Sequence, residues 1–444
     1  MPLPFRRPQA CLAMLLLWGA ATAQAQSLRQ LYEAALGYDA TYQSALASAR
    51  ASQARADQAR AGLLPQVGMQ AGAQHNWSET SVLGGSSSRA FNTLNAALVG
   101  SQPLYRPANR IALNQGQRAA EAAQINLAGA EQDLIVRLAQ AYFDVLAAQD
   151  TLASVRALKA AVNEQLQAAR RNFEVGTTTI TDTREAQSRA DLATAQEIAA
   201  ENALLNRRIA LAYLVGRRDV EPLPLATPVV LPAVEPHNVE EWVSVADTVH
   251  PQVTRARVAL ELARLEIDKA KAGELPTLDA VATIGANHAS GSSNQIIPGT
   301  TRTGSIGLEL NWPLYTGGSV QNRIKETVSL EQRSREEFES ARRTVAQNTR
   351  VAFFGVQSGE ALVKALEAAE SSSRLSLEAT QLGYKVGVRV NIDVLNAQTQ
   401  LFQTQRDLFK SRYDVLVNNL RLRQASGQLT PNDLLAVNSL LAKP

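Results

Sequence analysis

The 444-residue chain has one cysteine, four histidines and only 5% aromatic residues. Each scarcity closes off a class of function. The cysteine, Cys11, lies in a segment that resembles an export signal, so the mature chain would have none. Disulfides, thiolate catalysis and Cys-ligated metals are then excluded. The histidines, His75, His237, His250 and His288, include no pair at metal-ligand spacing. There is no Gly-rich phosphate loop, no G-x-S-x-G and no H-E-x-x-H. Carboxylates are plentiful but interleaved with basic residues, as on solvated helix faces. No catalytic constellation and no cofactor site emerges. The low aromatic content, with Ala, Gln, Leu, Arg and Glu recurring, suits long helices packed through small side chains more than one thick core.

Long apolar runs are also missing. After Ala25 no stretch approaches eighteen apolar residues, so no transmembrane helix is expected there, and entry into a membrane would have to use β-strands. The apolar run before that point is short. Arg6 and Arg7 precede it and Ala23-Gln24-Ala25 ends it, the pattern of a secretory signal cleaved after Ala25. Ala21-Thr22-Ala23 is a weaker second cleavage site. A membrane anchor is the alternative, but the run is too short to span a bilayer. Cys11 precedes the apolar run, the wrong place for a lipidated N-terminus. Without Arg6 and Arg7 the 44 basic residues become 42 against 41 acidic ones, so the pI near 9 does not argue for nucleic-acid binding.

What is present is a repeat. A shift of 211 positions lays the chain over itself. Leu64-Pro65 meets Leu275-Pro276, Val175-Gly176 meets Val386-Gly387, Asp182 meets Asp393 and Gly216 meets Gly427. Pro103-Leu104-Tyr105 meets Pro313-Leu314-Tyr315 with the shift reduced by one. The first copy spans 26–216 and the second 239–427. Between them a joint at 217–238 carries Pro222, Pro224, Pro228, Pro232 and Pro236, which exclude a continuous helix. A tail at 428–444 follows.

Each copy changes period in the same order. Residues 28–61 read as helix, ending before Gly62 and Pro65. Val67, Met69, Ala71 and Ala73 then alternate with polar residues and glycine, the strand period. A Gly/Ser-rich stretch, Ser78 to Arg89, reads as a loop, and Leu94, Ala96 and Leu98 resume the alternation. These features place one β-hairpin at about 66–104 and, by the same reasoning, another at about 277–313 with a loop at 290–301. From Ala108 to Phe173 there is no proline and the pattern is heptad: Leu134, Ala141, Ala148, Val155 and Val162 in one position, Leu138, Val145, Leu152, Leu166 and Phe173 in the other, with Lys159 the exception. Gly176 ends this helix, and a shorter one runs from about Asp182 to Val215.

Four strands of about ten residues, apolar on one face, resemble those of an outer-membrane barrel, yet the smallest such barrels need eight. An open edge in lipid leaves backbone groups without partners. A membrane reading therefore requires strands shared between chains. A water-soluble sandwich edge is the alternative. Trp77 and Trp312, at opposite ends of their strands, favour the membrane, as interfacial aromatics do. His75 and His288 read as solvated loop residues near the outer ends.

The most specific residues lie at the helix turns. Asn172-Phe-Glu-Val-Gly-Thr-Thr-Thr-Ile-Thr-Asp182 and Gly383-Tyr-Lys-Val-Gly-Val-Arg-Val-Asn-Ile-Asp-Val-Leu-Asn-Ala-Gln398 resemble the paired tips of the TolC family of outer-membrane efflux and type I secretion channels. The Leu-Pro before and Pro-Leu-Tyr after each hairpin fit the same family, in the same order along the whole mature chain. The resemblance implies a homotrimer with a shared twelve-stranded β-barrel in outer-membrane lipid. It also implies a long α-helical periplasmic tunnel and a belt formed by the joint and the tail. The implied partners are a periplasmic adaptor protein and an inner-membrane ABC or proton-driven transporter.

The resemblance also nominates a gate. Asp393 falls on the family's aperture aspartate, but its second acidic position is Asn396 here, which implies weaker cation selectivity or weaker divalent-ion block. Thr181, Asp182, Tyr384 and Arg389 fall on positions that latch neighbouring tips. Bland roles compete. Asp182 with Glu185 is a capping-box pattern, Gly176 and Gly387 read as helix C-caps, and Tyr384 could simply pack. Arg389 has no obvious partner in its own turn, which favours a contact across tips. The implied function is a passive exit duct for drugs or secreted polypeptides. A pore-less periplasmic coiled-coil spacer and a secreted adhesin with a coiled-coil stalk are the alternatives.

Overall fold

The computed structural model describes residues 26–82, 84–226, 228–229, 231–291 and 297–442. The signal-like segment and its cleavage point lie outside the described residues. In the first half α1 (Leu28–Tyr38) and α2 (Ala40–Ala61) lead into β1 (Gln66–Val82) and β2 (Gly85–Tyr105), then α3 (Pro107–Glu174) and α4 (Ile180–Val215). The second half repeats the order with α5 (Val239–Val249), α6 (Pro251–Lys271), β3 (Thr277–Ala289), β4 (Gly299–Asn311), α7 (Ser319–Lys385) and α8 (Asn391–Ala425). A short α9 (Pro431–Asn438) closes the chain.

The 68 residues of α3 and 67 of α7, at ~1.5 Å each, are about 100 Å long. Each long helix is flanked by two shorter ones in turn. α3 packs on α2 near its start, where Gly116 lies so close to Ala56 that a β-carbon would meet that residue's Cα at 3.1 Å. Farther along it packs on α4, where Ala169 and Ala186 are both fully buried. Small side chains at these seams let the helices approach closely.

The first helical stretch is not continuous. Asp39 breaks it in an extended conformation (φ −61°, ψ 114°) and accepts the Tyr42 N–H at 2.8 Å, so α2 starts with a new cap. The heptad seam of α3 is also too narrow an account of its middle. Ile135, Ala139, Tyr142, Phe143 and Leu146 are buried beside the heptad positions Leu134, Leu138 and Val145. They are covered because α1, the 217–238 joint, α8 and α9 wrap this level. Leu28, Leu31, Leu211, Leu223, Leu416, Leu420 and Leu434 join them in one core, each large side chain contributing about 1.5–3 kcal/mol by burial. Phe173, the last heptad residue, is by contrast exposed. The joint and tail are stitched by backbone bonds, Ala226 N–H to Leu440 O at 2.9 Å and Ala442 N–H to Pro224 O at 2.8 Å. Tyr142 O–H donates to Leu223 O at 3.0 Å across the same core.

The strands form one antiparallel sheet in the order β1-β2-β3-β4. They are longer than the alternation alone indicated, 17, 21, 13 and 13 residues. Ser78–Val82 and Gly85–Arg89, read as loop from their Ser and Gly content, are paired strand, with Ser78 opposite Arg89 and Val82 opposite Gly85. A continuous cross-strand ladder satisfies backbone groups whatever the side chains, and Ser and Thr do not oppose it.

Candidate functional site

The sheet separates two chemistries. Residues directly opposite one another point to the same face. Met69 faces Leu98, Leu98 faces Ile284, Ala280 faces Leu308 and Leu278 faces Leu310. This face is apolar and open: Ile306 is 88% and Leu308 69% exposed. The other face carries Gln66, Gln70, Gln74, Asn95, Thr283, Ser305, Glu309 and Asn311. Trp77 and Trp312 lie on the apolar side beyond opposite ends of this band, both exposed. A sheet greasy on one side and hydrophilic on the other fits a wall between lipid and a watery lumen. His75 and His288 stand inside strands, not in loops, because the ladders extend past them. The His75 Nδ1 lies 2.6 Å from Asn92 Oδ1, and the His288 Nδ1 2.9 Å from Thr300 Oγ1.

At the β2–α3 junction Arg106 grips Asp279 of β3. Its Nε donates to Oδ1 at 2.8 Å and its Nη2 to Oδ2. Asp279 is mostly buried, and the paired guanidinium compensates its charge.

The opposite end of the helices carries the nominated gate. At the first tip α3 ends at Glu174, and Gly176 adopts a left-handed φ of 77°, the role a C-terminal glycine plays. Thr177 N–H bonds back to Asn172 O at 2.8 Å. The capping box differs from the Asp182–Glu185 pair. Thr179 is the cap, its N–H bonds Asp182 Oδ2 at 3.0 Å, and its Oγ1 accepts the Asp182 N–H at 3.3 Å. The helix starts two residues earlier than Asp182, so Asp182 occupies its third position. Thr181 is exposed, and its side chain has no hydrogen-bond partner among the described residues.

The second tip closes with Gly387 at φ 81° and Val388 N–H on Gly383 O at 2.9 Å. Arg389 does have a partner in its own turn: its Nη1 is 3.7 Å from Asp393 Oδ2. Arg389 lies in the turn just before Val390, the N-cap of α8, and Asp393 in the first turn of α8 reaches back toward it. Asp393 also accepts the Val390 N–H at 3.4 Å.

Three further contacts join the two tips, and the residues that carry most of them gave no signal in the sequence. Tyr384 O–H accepts from Asn172 Nδ2 at 3.2 Å. Asn396 Oδ1 accepts from Arg189 Nη2 at 3.0 Å. Gln165 donates to Asn391 Oδ1. Beneath them Leu395, fully buried, inserts from α8 among Val162, Leu166 and Ala169 of α3 and Ala186 and Ala190 of α4. Arg189, Gln165, Asn391 and Leu395 were missed because each acts on a helix from the other half of the chain. Their repeat equivalents differ, so the repeat did not flag them. Among the described residues no group of His, Asp and Glu side chains could hold a metal, and no helix is long and apolar enough to cross a membrane.

Comparison with known proteins gives a consistent result. Residues 15–217 and 242–428 match the family model described as outer membrane efflux protein. Outer membrane protein TolC of Vibrio cholerae serotype O1 is 32% identical over 94% of this chain and 94% of its own length. Alkaline protease secretion protein AprF of Pseudomonas aeruginosa is 30% identical over 91% of this chain and 85% of its own. The crystal structure of the outer membrane protein VceC from Vibrio cholerae superposes with a TM-score of 0.76 at 21% identity, covering 90% of this chain and 96% of that one.

Proposed function

Because this chain belongs to the outer membrane efflux protein family, we propose a division of labour along its length. The chain is an outer-membrane exit duct for efflux or type I secretion, with its sheet in the outer membrane and its helices extending into the periplasm. One observation carries the mechanism: a four-stranded sheet, apolar on one face and polar on the other, with β1 and β4 unpaired at its edges. Unpaired edges in hydrocarbon are costly, so three chains share their strands in a twelve-stranded barrel. The polar faces then line the lumen.

The duct is passive. No catalytic group is required of it, and the work of export falls to an inner-membrane ABC or proton-driven transporter joined through a periplasmic adaptor. The adaptor docks helix to helix on grooves between the hairpin tips. The cargo is a drug-like molecule or a secreted polypeptide.

The tips are the gate. Leu395 with the Arg189–Asn396 and Asn172–Tyr384 bonds ties the two hairpins of one chain together. Opening is a movement of these tied tips away from the axis between packed states. Thr181, Asp182, Tyr384 and Arg389 remain the residues proposed to latch neighbouring copies, and Asp393 the aperture carboxylate; Asp182 also partners the Thr179 cap of α4. The purified protein in a planar bilayer is expected to show discrete conductance steps that grow in the Asp182→Ala, Arg389→Ala double variant. A complete lack of conductance in both would favour the pore-less spacer.

A further inference from the structure

The sheet inside one chain contains two kinds of seam. Two lie within hairpins, β1 with β2 and β3 with β4. The third, β2 with β3, joins the two halves. The repeat relates the hairpins closely. Moving β1 forward 211 residues and β2 forward 210 converts the pair Met69–Leu98 into Ala280–Leu308 and the pair Ala73–Leu94 into Ile284–Gly304, and both are true partners. The repeat therefore preserves register residue for residue, and the same shifts can be applied to the seam between halves.

There Leu98 pairs with Ile284, Gly100 with Ala282 and Ser101 with Val281. Moving β2 forward 210 residues gives β4, and moving β3 back 211 gives β1. The free edges of β4 and β1 would then meet with Leu308 opposite Ala73, Leu310 opposite Ala71 and Asn311 opposite Gln70 of the next copy. The faces provide a check independent of the shift. Leu308, Leu310, Ala71 and Ala73 all lie on the apolar face, and Asn311 and Gln70 on the polar face. A slip of one residue would turn every side chain of one partner to the wrong face, so only even slips compete.

We infer that β4 of one copy pairs antiparallel with β1 of the next in the register that sets Leu308 opposite Ala73, and that this seam lacks the ion pair that fastens the seam within a chain. The second part follows from the same shifts. Arg106 and Asp279 correspond to Thr316 and Gly68, which cannot form a salt bridge. The inference rests on the reading of the chain as a subunit of a shared barrel.

The register is tested by disulfide trapping, which the cysteine-free mature sequence makes clean. The protein carrying Leu308→Cys with Ala73→Cys is compared with Leu308→Cys paired with Ala71→Cys or with His75→Cys, each purified in detergent and oxidised. A disulfide needs Cα atoms about 4.4–6.8 Å apart, while diagonal neighbours across a ladder are about 7–8 Å apart. The first pair is expected to give covalent dimers and trimers on a denaturing gel, and the other two little. Preferential trapping of either slipped pair overturns the register. A trimer by sedimentation with no trapping in any pair overturns the seam while leaving the oligomer standing. A monomer with no trapping removes the shared-barrel reading itself, and the seam with it.

The missing ion pair supplies a second measurement. A β-carbon at Gly68 meets no atom within 4 Å, so Gly68→Asp with Thr316→Arg can install the clamp at the seam between copies. The double variant is expected to keep its trimer in dodecyl sulfate to a higher temperature than the parent or either single variant. An unchanged dissociation temperature in the double variant would contradict the placement of these two residues across the seam.

Discussion

Asp39 and His250 stand 211 residues apart and perform the same act. Each breaks the first helix of its half in extended backbone, φ −61° and ψ 114° at Asp39, φ −62° and ψ 131° at His250. Each then caps the next helix with its side chain. Asp39 Oδ1 accepts from Tyr42 N–H at 2.8 Å and His250 Nδ1 from Gln252 N–H at 3.1 Å. The chemistry around them has diverged. Asp39 is held by Arg137 at 3.0 and 3.1 Å, whereas the corresponding position beside His250 is Asn348.

Both caps need the deprotonated side chain, but the divergence gives them two different pH windows. Hydrogen bonds from Arg137 hold the Asp39 carboxyl below its ordinary 3.8. Its stabilisation is present above that value and lost as pH falls through the lower folded one. Burial pushes the His250 imidazole below 6.5, and its cap requires an unprotonated Nδ1. That contribution is complete above pH 6.5 and lost as pH falls further. Thermal melting of the purified protein between pH 7.5 and 5 should show a decline that His250→Asn, which caps without titrating, reduces. An identical decline in the variant would rule His250 out as its source.

The helices, hairpins and two-faced strands were legible because period, proline and glycine report local geometry. What escaped has a common cause. The Ser-rich 78–89 stretch is strand because its partner strand is there, a fact composition does not carry. Asp39 and His250 share a role but not a residue type, so the repeat did not reveal the break. Leu395 looked like any other helix leucine until α8 was placed between α3 and α4. The Arg389–Asp393 contact escapes a sequence reading because Arg389 lies in the turn before α8, and only the folded turn brings the first-turn Asp393 back toward it.

Leu395 is the apolar tie between the two tips. Truncating a fully buried leucine typically costs about 2–5 kcal/mol. Leu395→Ala should therefore loosen the tips while leaving the distant mid-level core intact. Faster amide exchange confined to about residues 160–190 and 385–400, with higher open-channel probability, is the expected pattern. Exchange that rises equally around Tyr142 would mean that the effect is global unfolding.

Gly216 ends α4 in a left-handed conformation, φ 73°, and a β-carbon there would come within 2.5 Å of the Tyr38 ring. Backbone strain of about 1–3 kcal/mol adds to that clash. Gly216→Ala should lower the melting temperature more than Gly176→Ala, whose added β-carbon meets no atom within 4 Å. Equal effects would show that strain alone, without Tyr38, sets the cost.

With position 396 proposed to line the neck, Arg189 is expected to set the ion selectivity there. On sequence grounds, restoring a carboxylate with Asn396→Asp should raise cation over anion permeability. The structure changes the size of that effect, because Asn396 Oδ1 accepts from the Arg189 guanidinium at 3.0 Å. A new carboxylate there would be met by a cation of its own chain, and a paired charge presents a weaker field to a passing ion than a bare one. Asp393 is in a similar position, with Arg389 at 3.7 Å. Asn396→Asp alone should shift the reversal potential in a salt gradient only slightly toward cations, and Arg189→Ala with Asn396→Asp should shift it much further. Arg189→Ala alone serves as the control for losing the basic residue. If the single Asn396→Asp variant already gives the full shift, Arg189 does not neutralise position 396 in the assembled channel, and the bond between the two tips is not kept when the pore conducts.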